Sequence, residues 1–134
     1  MKRLFTAGLL AGLISVGLSC GGDGPTMSGP GDLKVRLMSP NSGLDTAIVF
    51  TITGPAALTT AVAAAGLRVF QQPLGGTSTR FALIGKLDNN ATILTIGVQD
   101  VGALSQYHGS ITGVAVPSYA LRVLPGGYAL AVLR

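Results

Sequence analysis

The 134-residue sequence predicts an all-β fold, an antiparallel β-sandwich of about eight or nine short strands following an N-terminal signal helix. Three observations carry that reading. From Leu33 onward, apolar and polar residues alternate with period two over short runs, as strands with one buried face require. Gly, Pro and Asn interrupt these runs at spacings near ten residues, drawing on 20 glycines and 7 prolines. Past residue 32 there is no long amphipathic stretch of helical period.

The chain opens on a different pattern. Met1, Lys2 and Arg3 form a short positive region, and residues 4–18 carry no charge before Ser19, Cys20, Gly21 and Gly22. This is the layout of a signal peptide over residues 1–19. The apolar run is shorter than the roughly 18 to 20 residues that span a bilayer core, and no basic stop-transfer cluster follows it. Gly17, Leu18 and Ser19 ahead of the single cysteine resemble the lipobox of bacterial lipoproteins, although that family usually has Leu where Gly17 stands. The resemblance implies cleavage before Cys20, a diacylglycerol on its thiol and attachment to the cell envelope. Gly21, in place of an Asp at that position, leans toward the outer membrane. Residues 20–32 then read as a Gly/Pro-rich flexible tether whose aspartates, Asp23 and Asp32, are solvated linker charges. As a coil of a dozen residues it spans about 20 Å.

Residues 33–134 form the expected domain, large enough to bury a core without disulfides. In residues 33–38, Leu33, Val35 and Leu37 share one face; in residues 47–53, Ile48, Phe50 and Ile52 do the same, and Pro40-Asn41-Ser42-Gly43 separates the two. Residues 55–66 mix six alanines with Thr59, Thr60 and Val62 behind Gly54-Pro55, which favours an extended or irregular segment. Further strands are expected at 67–71, 79–84, 92–98, 107–116, 118–124 and 128–133, the last two joined as a hairpin through Pro125-Gly126-Gly127. They contribute Leu67, Val69, Phe81, Leu83, Leu94, Ile96, Val98, Ile111, Leu121, Val123, Leu130 and Val132 to the predicted core. Placing Leu67 and Val69 inward turns Phe70 outward, and alternation alone allows either register.

Residues 84–96, Ile-Gly-Lys-Leu-Asp-Asn-Asn-Ala-Thr-Ile-Leu-Thr-Ile, with Gly97-Val98-Gln99-Asp100 after them, resemble the central part of cohesin-like domains. There a Gly-x-Leu turn leads into a strand. The similarity covers about a third of the domain, and what it implies is an immunoglobulin/cohesin-like sandwich; it assigns no binding residue.

The inventory for chemistry is thin. His108 is the only imidazole, with Ser105, Ser110 and Asp100 nearby in sequence, and alternation sets Ser110 on its face. No nucleophile-elbow pattern surrounds either serine, so a partly exposed strand histidine is favoured over a hydrolase base. One Cys and one His give zinc too few ligands, and Asp88-Asn89-Asn90 lacks the spacing of a calcium loop, reading instead as a polar hairpin turn. Asp45, Asp88 and Asp100 lie beside turn signals, not in the apolar settings that raise a catalytic carboxyl's pKa. Gly75-Gly76-Thr77-Ser78 has no Lys and following helix to make a phosphate loop, and reads as a hairpin connection.

Charge excludes one partner class. The net charge is +4, but without Lys2 and Arg3 seven basic residues face five aspartates, a balance of +2. Lys34, Arg36, Arg68, Arg80, Lys86, Arg122 and Arg134 fall on separate segments without interleaved aromatics, so no nucleic-acid surface is indicated. The expectation is a lipid-anchored, non-enzymatic envelope protein without cofactor or metal. It meets the membrane through Cys20 and an envelope protein through its sandwich, as an adhesion, scaffold or protein-binding module. A carbohydrate or small-ligand module using Tyr107, Tyr119 and Tyr128 is the alternative, and a hydrolase using His108 the remote one.

Overall fold

The computed structural model describes residues 28–124 and 127–134. The signal segment, Cys20, Asp23, most of the tether and the Pro125-Gly126 pair lie outside the described residues. Eight strands follow in order: β1 (Gly31–Met38), β2 (Asp45–Thr53), β3 (Thr60–Ala63), β4 (Arg68–Pro73), β5 (Ser78–Leu87), β6 (Ala91–Val98), β7 (His108–Ala115) and β8 (Ala129–Leu133). A short 3₁₀ segment, Val101–Gln106, precedes β7.

The strands make two four-stranded antiparallel sheets, β3-β6-β1-β8 and β4-β5-β2-β7. The expected β-sandwich is thus the observed architecture. Its pairing is nested: β4 with β5, β3 with β6, β2 with β7 and β1 with β8. A chain paired this way is one long hairpin rolled about its core, the plan of a jelly roll. Only the β4–β5 link, through Gly75-Gly76, is a local hairpin. Asp88-Asn89-Asn90 is a turn but not a hairpin, since β5 and β6 belong to opposite sheets and the chain crosses between them there.

The alternating residues meet between the sheets. Leu33, Val35, Leu37, Ile48, Phe50, Ile52, Phe81, Leu83, Leu94, Ile96 and Val98 are buried as expected, with the Phe50 and Phe81 rings 5.6 Å apart. Leu67, Val69, Ile111, Leu130 and Val132 pack against this cluster, half-buried. Phe70 points outward and is 51% exposed, which settles the register of β4. A bulge between β1 and β6 adds Ile93 to the core beside Leu94, a break in alternation that period-two reading does not anticipate.

Two further expectations need correction. Residues 118–124 do not form a strand; a single bridge, Ala115 to Leu121, is all that pairs there, and β8 joins β1 in the other sheet, so no 118–133 hairpin exists. Leu121 and Val123 are accordingly exposed, at 81% and 91%. The reason is that Arg122, between them, turns inward to a buried carboxylate, and alternation then drives its neighbours out. The second concerns the tether. Gly31 and Asp32 already belong to β1, and Gly29 is fixed at both backbone groups: its N–H donates to Asp100 Oδ1 (2.9 Å) and its carbonyl accepts from Val101 N (2.9 Å).

Asp100 also accepts from Gly102 N (2.9 Å), capping the 3₁₀ segment, so one carboxylate oxygen ties the incoming chain to the β6–β7 crossover. Tyr107 seals this end. Its ring packs against Gly54, where a Cβ would collide with Tyr107 Cδ1 and Cε1, so residue 54 can carry no side chain. Tyr107 is 3% exposed and its hydroxyl has no partner among the described residues. Burial, with the Asp100 carboxylate as the lesser cause, raises its pKa above the ordinary tyrosine value. The folded state therefore holds this proton more tightly than the unfolded chain. The associated stability is intact below about pH 10 and is lost as pH rises through the raised value. Tyr107→Phe is expected to flatten that alkaline loss in urea titrations run across pH. At neutral pH it should change stability by less than about 1 kcal/mol, because the hydroxyl it removes is unpaired.

Candidate functional site

Strand direction sorts the loops to two poles. The chain enters at Gly29 beside Asp100, and this proximal pole also holds the ends of β2 and β6 and the start of β7. The distal pole gathers loop 39–44, loop 64–67, turn 88–90 and residues 116–124 and 127–128. Eight residues of β1 separate the two, about 26 Å at 3.3 Å per residue.

The distal pole is built on Asp45, whose side chain is only 1% exposed. Its Oδ1 accepts from Arg122 Nε at 2.7 Å and its Oδ2 from the Tyr128 hydroxyl at 2.5 Å. Asn41 Nδ2 donates to the same hydroxyl at 2.7 Å. Asp45 opens β2, while Arg122 lies midway along the β7–β8 crossover and Tyr128 at its end, so one buried carboxylate fastens that crossover to the sandwich at two points. A charge this deep is tolerable only because both oxygens are engaged. Around it, Asn89 Oδ1 accepts from Ser39 N (2.9 Å), Ser42 Oγ accepts from Asn89 N (2.9 Å), and Asn90 N donates to the Leu37 carbonyl (2.7 Å). The Asp88-Asn89-Asn90 turn thus knits loop 39–44 to β6, with Asn90 in the left-handed region at φ 66°.

The same pole carries exposed apolar side chains: Leu44 is 60% exposed and Tyr119 64%, and Leu121 and Val123 stand out from segment 116–124. Segment 116–122 folds back on β7: Tyr119 N donates to the Val116 carbonyl, Val116 N to that of Ala120 and Arg122 N to that of Val114 (2.8 Å). Tyr119 takes φ 63°, an unusual conformation for a non-glycine residue, to make this turn. The pole therefore presents large apolar side chains on a backbone held by hydrogen bonds and an ion pair.

The other residues singled out from sequence are dispersed. His108 and Ser110 share the outer face of β7, opposite Thr53 and Thr51, as alternation requires. No hydrogen bond links His108 to Ser110, Ser105 or Asp100 among the described residues, and Asp100 is occupied by backbone donors. Of the aspartates placed beside turns, Asp45 is in fact buried, with Arg122 opposite its charge. The three tyrosines do not form a platform: Tyr107 is buried, Tyr128 is half-buried in the Asp45 lattice, and Tyr119 alone is exposed. Lys34 and Arg36 lie on the outer face of one sheet and Arg68 and Arg80 on that of the other, so no single face collects the basic residues. A shallow groove of about 170 Å³ lies on the second of these faces, between Val49, Phe70, Gln72, Arg80 and Ala82. Among the described residues, no three His, Cys, Asp or Glu side chains converge, and no helix is long and apolar enough to cross a membrane.

Sequence reasoning passed over the Asp45 cluster, although an Arg inside an otherwise apolar alternating run was its available signal. Comparison of the chain with protein-family models, curated proteins and solved structures finds no match in any of the three.

Proposed function

We propose that this chain is a lipid-anchored protein of the cell envelope, attached through Cys20, whose sandwich is a non-catalytic protein-binding, adhesion or scaffold module that engages its partner at the distal pole. The observation that carries the reading is the set of exposed Leu44, Tyr119, Leu121 and Val123, borne by segments that the Asp45 cluster fastens at the end opposite Gly29. Apolar side chains clustered at a surface are the usual mark of an interaction site, and a rigid backbone lowers the entropy lost on binding. An anchor at Cys20 would leave this pole pointing away from the membrane. The small-ligand alternative draws on the Phe70–Arg80 groove.

A photo-reactive residue at Val123, compared with one at Thr112 in β7, tests the placement in native membranes. The Val123 probe should yield a discrete adduct that purified wild-type protein competes away and the Leu121→Asp variant does not. Equal labelling from both positions, or competition by both proteins alike, would place the interaction elsewhere.

A further inference from the structure

Each sheet has two edge strands, and an uncovered edge is a template for pairing with another chain. Three of the four are blunted. β3 has only four residues; β4 carries Arg68 and ends in Pro73, which has no N–H to give; β7 is bulged opposite Val49/Phe50, and its distal end is capped by the Leu121 bridge and the Arg122 N–H. β8 has none of these devices. Its sequence, Ala-Leu-Ala-Val-Leu, contains no charge and no proline, its five-residue register with β1 is unbroken, and among the described residues it pairs with β1 alone.

We propose that β8 is a self-association edge, pairing antiparallel with β8 of a second copy across a two-fold axis at Ala131. The side-chain pattern fits itself in that register. Leu130 meets Val132 of the other copy on the core side, Ala129 meets its Leu133 on the outer side, and Ala131 meets its own counterpart. Opposed pairs of this kind stabilise sheets, whereas like charges directly opposite would not, and the strand brings none together. The result is one continuous eight-stranded sheet, β3-β6-β1-β8 followed by its symmetry mate. A five-residue strand pair covers well under the roughly 1,200 Å² of a stable interface, so the dimer is weak and reversible.

Ala131 offers a variant that separates association from folding. It faces outward, directly across from Arg36, whose Nε is buried without a partner among the described residues. Ala131→Glu therefore gains a basic neighbour within its own sheet but sets two carboxylates against each other at the two-fold. In sedimentation velocity on the full chain carrying Cys20→Ser, the weight-average mass should climb toward twice the monomer with rising concentration. Ala131→Glu should stay at the monomer mass while melting no lower than wild type. In the same background, Ala131→Cys should form a disulfide-linked dimer on mild oxidation, whereas Gln72→Cys on β4 should not. A wild-type mass that stays monomeric at every concentration, an Ala131→Glu protein that still dimerises, or equal cross-linking at residues 72 and 131 would each overturn the proposal.

Discussion

Replacing Arg122 with Met is expected to cost about 3–5 kcal/mol, the range for removing one partner of a buried ion pair. Methionine keeps most of the volume, so the loss is electrostatic. Asp45 stays where it is, at the head of β2 and 1% exposed, with only the Tyr128 hydroxyl left to oppose its desolvation. Asp45→Asn should cost less, because the Arg122 side chain is 25% exposed and can turn its charge to water. The double variant should recover part of the Arg122→Met loss, since no charge then remains buried. Urea unfolding, compared by midpoint at constant slope, reads all three. For a domain whose total stability is of order 5–15 kcal/mol, the single change is a large fraction. If Arg122→Met instead proves neutral, the ion pair does not hold the β7–β8 crossover and the distal pole lacks its fixed backbone.

The same residues show where sequence was legible. In β1 and β2, a face of Leu33, Val35 and Leu37 and one of Ile48, Phe50 and Ile52 could be read directly, because each side chain meets a like neighbour and nothing polar competes. In residues 118–124 the identical pattern misled. Leu121 and Val123 alternate as a strand should, yet Asp45 lies 77 positions away from Arg122 and decides which face turns inward. A contact so distant in sequence leaves no periodic trace. Ile93 went unnoticed for a related reason: its bulge depends on how β1 and β6 align, which is a property of the pair and not of either strand. Sheet membership was hidden as well. Asp88-Asn89-Asn90 has turn chemistry suited to a hairpin or a crossover, and only the nested pairing of the whole chain selects the crossover. Tyr107 gave no sign of burial until Gly54, 53 positions earlier, was seen to leave space for its ring.

The second large effect concerns where the protein resides. Each methylene of an acyl chain contributes roughly 0.8 kcal/mol to membrane retention, so the two or three chains that the lipoprotein resemblance implies for Cys20 hold a small domain effectively permanently. Cys20→Ala removes the only thiol in the sequence, and with it the sole site for that anchor. The sandwich should be unaffected, since Cys20 lies in sequence ahead of the strands, which begin with β1 at Gly31. Nearly all of the protein should then move from the membrane to the soluble fraction, folded and with unchanged melting.

Intact-mass analysis of membrane and soluble fractions from a bacterial host, comparing wild type with Cys20→Ala, is the most direct test of an anchored binding module. The expected result is a diacylglyceryl-sized increment on the wild-type protein in the membrane fraction, absent from Cys20→Ala, which is recovered soluble. Wild-type and variant proteins that are both soluble and both unmodified would contradict it.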